Sequence, residues 1–170
     1  MTGSMKRFRA AGSDLHVHPR KQLFHMHKRL SRCAGRRTSE AEMRILIVDD
    51  VESNGAIMKR LAMKVFGGEI EIANSAANAV KCCHEANYDL IITDYMMPDI
   101  DGLQLISIIR GFTEYARVPV ILTSADHDAA LLSRATKAGI NDFLPKPINS
   151  EMFRKKIVHH LSMRPSSFAT

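Results

Sequence analysis

From Arg44 onward the chain alternates five times between a short apolar run and a longer amphipathic stretch, and no other feature limits its folding so strongly. The runs RILIV (44–48), EIEIA (69–73), DLIIT (89–93), VPVIL (118–122) and NDFLP (141–145) read as strands. Between them, residues near 53–66, 75–86, 102–111 and 127–138 have helical spacing, and a fifth helix is predicted from about Asn149 to Leu161. Within LIIT and VILT the apolar residues are consecutive, as expected of strands buried on both faces. Strand–helix alternation implies right-handed crossovers, so the expected fold is α/β: a parallel sheet covered by helices on both sides.

In open sheets of this kind, ligands bind beyond the carboxyl ends of the strands. Asp49, Asp50, Asp94, Ser124 and Lys146 all fall at or just past the ends of the first, third, fourth and fifth runs. An isolated Asp at a strand end usually caps a turn, but this convergence points to chemistry. Three carboxylates at one sheet edge repel unless a cation joins them. Mg²⁺ suits them, since it takes oxygen ligands and is usually held by one or two carboxylates together with phosphate and water. Asp50 and Asp94 are the expected direct ligands, with Asp49 holding a metal-bound water and a backbone carbonyl just after Asp94 completing the set. A carboxylate can attack phosphorus to give an acyl phosphate, with Lys146 as a compact positive charge and Ser124 as a hydroxyl donor. Phosphoryl transfer is mainly positioning and charge neutralisation, for which these groups nearly suffice.

The net charge of +6 is unevenly spread. Residues 1–42 hold ten Lys/Arg against three acids, whereas residues 43–170 hold fourteen against fifteen. The expected organisation is therefore a basic, disordered extension over 1–42, one folded domain over 43–162 and a short tail over 163–170. Either Met43 begins the domain and what precedes it is a translated leader, or the arm contacts an anionic partner such as nucleic acid or acidic lipid. His16, His18, His25 and His27 could bind a metal but read as solvated. Three cysteines suggest neither a disulfide framework nor a zinc site. No run approaches a membrane span and no signal-peptide pattern opens the chain, so a cytoplasmic location is expected.

The pattern of motifs resembles the receiver domain of two-component response regulators, the CheY-like phosphoacceptor domain, over residues 43 to about 162. The similar elements are Asp49-Asp50 after ILIV, Asp94 in ITDYMMPDIDG, the pair Ser124-Ala125, and LPKP with Lys146 before Pro147. Their spacing carries the likeness: 44 positions from Asp50 to Asp94, 30 on to Ser124 and 22 on to Lys146. Thr123 also bears a hydroxyl but lies one residue short of the family's position. The resemblance implies a flavodoxin-like sheet of order 2-1-3-4-5 with Asp94 as phosphoacceptor. It further implies the Met96 carbonyl as a metal ligand, Phe143 as an aromatic switch residue and a cis Lys146-Pro147 bond. An ordinary core aromatic is the alternative for Phe143.

By the same resemblance, a sensor histidine kinase or histidine phosphotransfer protein would phosphorylate Asp94. A downstream protein of unknown identity would then read the surface formed by residues 127–161. After Leu161 only SMRPSSFAT remains, so a stand-alone receiver is expected, not an enzyme acting on other substrates. Three alternatives compete. A phosphatase or phosphotransferase of the haloacid dehalogenase type also uses an aspartyl nucleophile and Mg²⁺, but needs a second acid where Met96 stands. A degenerate receiver could serve as a phosphorylation-independent binding module. The basic arm could bind nucleic acid.

Overall fold

The computed structural model describes residues 43–126 and 128–162; the basic arm with its histidines and the tail from 163 lie outside these. In chain order the elements are β1 (Arg44–Val48), α1 (Glu52–Ala62), β2 (Glu69–Ala73), α2 (Ala76–Glu85), β3 (Leu90–Asp94), α3 (Gly102–Ile109), a 3-10 turn (Thr113–Tyr115), β4 (Val120–Ser124), α4 (Ala129–Ala138), β5 (Asp142–Pro145) and α5 (Ser150–Ser162). The strands form one sheet of order β2-β1-β3-β4-β5, with every neighbouring pair parallel. The chain moves outward from β1 to β2 and then returns past β1 to β3. That reversal opens a crevice at the carboxyl ends of β1 and β3.

Strand side chains alternate between two apolar layers, because successive residues of a strand point to opposite faces. Ile45, Ile47, Leu90, Ile92, Ile121 and Leu144 pack with Met58 and Ala62 of α1 and Phe153 and Ile157 of α5. Leu46, Val48, Ile91, Val120 and Leu122 pack with α2, α3 and α4 on the other side. Burying each large aliphatic side chain contributes about 1.5–3 kcal/mol, so β1, β3 and β4, buried on both faces, anchor the sheet. Side chains at helix starts satisfy the first free amides: Ser75 caps α2, Asp101 and Gln104 form a capping box on α3, and Asp128 caps α4.

Strands β3, β4 and β5 begin later than their apolar runs suggest, and local hydrogen bonding explains the first two. Asp89 is a bracket before β3, not a member of it, since its carboxylate accepts the Arg44 amide at 2.7 Å. In β4, Pro119 has no N–H, Val118 donates back to Tyr115, and the Val120 amide is taken by the Asn141 side chain at 2.8 Å. Asp94 and Ser124 are consequently the last residues of β3 and β4, with Asp94 in register opposite Thr123 and Ser124 opposite Pro145. Helix α1 ends at Ala62, earlier than its periodicity suggests, where turns over residues 63–65 lead to the Gly67-Gly68 pair.

Candidate functional site

Val48 and Thr93 are register partners, so Asp49 and Asp94 emerge side by side from adjacent strands at the crevice. Each of Asp49, Asp50 and Asp94 offers a carboxylate oxygen to a group whose ligand atoms all lie within 4.8 Å of one another. Asp49 is wholly buried, Asp94 is 5% exposed, and Asp50 is the most open of the three. Lys146, just beyond β5, reaches across the crevice to place Nζ 2.8 Å from Asp94 Oδ2 and 3.2 Å from Asp49 Oδ2. Its peptide bond to Pro147 is cis.

One ammonium is thus shared by two acids, and the electrostatics follow from that imbalance. Burial raises the Asp94 carboxyl above the ordinary carboxylate range; the Lys146 hydrogen bond and charge pull it down, and the Asp49 charge pushes it up again. Burial disfavours the Lys146 ammonium, but Asp94 and then Asp49 outweigh it and raise its pKa above the usual lysine value. The buried Asp49 carboxylate is compensated by hydrogen bonds. Its Oδ1 accepts the Val51 amide at 2.9 Å and the Asn54 side-chain amide at 3.2 Å, while Lys146 takes Oδ2.

The donor set fits a hard divalent cation: three clustered carboxylates, two of them contacting one lysine, leave an excess of negative charge, all of it on oxygen. Beyond Asp94 the chain winds tightly, with the Ile100 amide donating to the Pro98 carbonyl at 2.8 Å around Asp99, whose φ of 68° is unusual for a non-glycine residue. The Met96 side chain on this loop is 70% exposed. Its backbone carbonyl, the expected ligand, takes part in no hydrogen bond among the described residues.

The two candidate hydroxyls occupy different surroundings. Thr123 is fully buried and its hydroxyl donates to the Thr93 carbonyl at 3.4 Å. Ser124 Oγ accepts the Asp126 amide at 3.0 Å, which leaves its own proton free to be donated elsewhere. Phe143 lies one strand further out, partly buried against the α2–α4 layer. Ser124, Asp126, Phe143, Leu144 and Pro145 line an open cavity of about 190 Å³ between β4 and β5. The carboxylates and Lys146 are therefore in direct contact or close to it, whereas Ser124 borders them and Phe143 stands apart.

Three residues at this edge have contacts that the motif reading assigned to none of them. Asn54 bonds Asp49 from the first turn of α1. At Gly102, a Cβ atom would lie 2.2 Å from the Asp94 carbonyl oxygen, so only glycine fits where α3 meets the end of β3. Tyr95 next to Asp94 is tied to α4 through a 3.2 Å hydrogen bond from Arg134. The Asp101-Gly102 pair signals a turn in the sequence, but no local pattern distinguishes a turn glycine from one that another strand's backbone touches.

Comparison with known proteins places this geometry in context. Residues 45–158 match the family described as the response regulator receiver domain. The chemotaxis protein CheY of Pseudomonas aeruginosa is 29% identical over 115 residues, spanning 68% of this chain and 93% of that protein. The CAI-1 autoinducer sensor kinase/phosphatase CqsS of Vibrio cholerae is 32% identical over 120 residues, which are 70% of this chain and 17% of that one. Among solved structures, chemotaxis protein CheY4 of Vibrio cholerae, crystallised at low pH, superposes with a TM-score of 0.68 at 25% identity, covering 71% of this chain and 100% of its own.

Proposed function

From the premise that the chain belongs to the response regulator receiver domain family, we propose that it works as a Mg²⁺-dependent phosphoacceptor, with Asp94 receiving the phosphoryl group. Receivers of this family take that group from a histidine kinase or a phosphotransfer protein. The observation that carries the reading is the Lys146 ammonium 2.8 Å from Asp94, at a sheet edge shared with two further acids. An Asp94 oxygen attacks phosphorus, the bond from phosphorus to the donor's imidazole nitrogen breaks, and the imidazole leaves with that electron pair and takes up a proton. Lys146 can transfer its contact from the carboxylate to a phosphoryl oxygen, where a point charge is well suited. Asp50, Asp94 and the Met96 carbonyl, with Asp49 behind them, would hold Mg²⁺, which when bound would neutralise charge on the incoming anion.

The cation proposal has a direct thermal test. Millimolar Mg²⁺ stabilises the folded domain by mass action, so the melting temperature rises by on the order of 5 °C at a tenfold excess over the dissociation constant. Asp50→Ala loses that response, and in chelator it melts no lower than the wild type, because removing one acid relieves repulsion among the rest. An undiminished Mg²⁺ response in Asp50→Ala removes this residue from the ligands.

Signal output follows from the neighbouring hydroxyl. A phosphoryl group on Asp94 offers Ser124 a charge-assisted partner, which draws the end of β4 inward. Phe143 then turns into the cavity beside β5 and remodels the face of α4, β5 and α5 that a downstream protein reads. The phosphoryl group shifts this equilibrium only by its differential contacts in the two states. Ser124→Ala should still bind beryllofluoride at Asp94, yet show a much smaller change in amide exchange over residues 127–161. A full response in that variant, or a wild-type response confined to residues 96–102, refutes the switch and leaves the phosphoacceptor assignment standing.

A further inference from the structure

Asp49 is the wholly buried carboxylate of the cluster, and a residue outside the motif set orients it. Its Oδ2 faces Lys146, while Oδ1 accepts both the Val51 amide and the side chain of Asn54. A carboxylate oxygen only accepts, so the Asn54 amide must present its nitrogen to Asp49 and its oxygen elsewhere. The placement of Asn54 is itself constrained. The next residue, Gly55, is buried, and a Cβ atom there would lie 3.0 Å from Ile72 Cγ2 on β2. That close approach presses the first turn of α1 onto the sheet and holds Asn54 over the end of β1. Val51 at the start of the helix makes no side-chain cap, so the carboxylate of Asp49 is what ties this turn down.

We propose that Asn54 is a positioning residue for the cation, fixing the plane of the Asp49 carboxylate at the acidic cluster while its other oxygen meets Lys146. The inference rests on the Mg²⁺ reading above and adds a residue to it. With the Val51 amide as the single donor on Oδ1, the carboxylate is free to turn about its Cβ–Cγ bond. A second donor on the same oxygen opposes that turn. Groups that orient a metal's ligands without touching the metal typically control affinity by 10- to 100-fold, and the water-mediated role expected of Asp49 points to the lower end.

The test is Mg²⁺ binding by calorimetry to the whole chain, without any phosphodonor, for the wild type, Asn54→Ala, Asn54→Leu and Asn54→Gln. Leucine keeps the branched outline of asparagine, at a larger volume, but not its donor, and glutamine keeps the donor on a longer stem. The expected result is a dissociation constant about tenfold weaker in both Ala and Leu, and partial recovery in Gln. In chelator, Asn54→Leu melts close to the wild type, which separates loss of a cation-orienting bond from general destabilisation. Wild-type affinity in Asn54→Leu overturns the proposal, since packing alone then suffices, and so does a Gln variant as weak as Ala. Absence of Mg²⁺ binding in the wild type overturns the cation reading itself, a result distinct from unchanged binding in the variants.

Discussion

Incubated with acetyl phosphate or a phosphoramidate and Mg²⁺, the protein is expected to gain one acid-stable, base-labile phosphoryl group, which peptide mapping should find on Asp94. Asp94→Asn takes up none at that position, because an amide is no nucleophile toward phosphorus. The effect is all or none, since neither Asp49 nor Asp50 can replace the missing oxygen. Asp49 is buried with its oxygens committed to Val51, Asn54 and Lys146. Asp50 belongs to β1's loop and lacks the 2.8 Å contact with Lys146 that Asp94 makes. Phosphate recovered on Ser124, or uptake that proceeds equally well in excess chelator, defeats the assignment.

The same substitution has a stability consequence with a definite sign. Burial raises the folded-state pKa of Asp94, with Asp49 adding to the rise and Lys146 only partly offsetting it. The native state therefore holds this proton more tightly than the unfolded chain does, and stability falls as pH rises from the unfolded carboxylate range through the raised value. In chelator at neutral pH, Asp94→Asn is expected to melt above the wild type, and the gap should narrow as the solution is acidified and the wild-type carboxyl takes up its proton. A variant less stable than the wild type at neutral pH would mean that the Lys146 contact outweighs burial.

Gly102→Ala is the second large expectation. Its new methyl would stand 2.2 Å from the Asp94 carbonyl oxygen, 3.1 Å from the carbonyl carbon and 3.1 Å from Leu122 Cδ1. Backbone, unlike the end of a flexible side chain, cannot move aside cheaply. Overpacking of this kind costs typically 1–3 kcal/mol, and rigid neighbours place it near the top, so a fall in melting temperature on the order of 10 °C is expected. The displacement also falls on Asp94, the proposed phosphoacceptor, so phosphoryl uptake is expected to slow in whatever fraction remains folded. Gly67→Ala is the matching control, because nothing lies within 4 Å of its Cβ position, and it should be close to neutral. Equal melting of the two variants would show that the end of β3 yields easily.

Much of this protein is legible before any coordinates are drawn. Consecutive apolar residues in LIIT and VILT require strands buried on both faces, and the strand–helix alternation leaves a parallel sheet as the economical way to bury them. Acids at the ends of those strands must then collect at one edge, so Asp49, Asp50 and Asp94 converge as a matter of connectivity. Spacing picked out Lys146 in the same way. Strand ends were less legible, because the late starts of β3 and β4 depend on who accepts the Arg44 amide and who donates to Asn141, partners 45 and 21 positions away in the chain.

Tertiary contact alone decided the remainder. Whether Gly102 turns a loop or makes room for the Asp94 carbonyl depends on how closely α3 abuts β3, and the chain near Gly102 does not encode that distance. Asn54 reads as an ordinary polar residue on a helix until the packing of Gly55 on Ile72 places it over Asp49. Periodicity and motif spacing arise from local geometry, which repeats along the chain and so can be read from it. Close approach between distant segments is set by the packing of the whole core, and only the folded molecule resolves it.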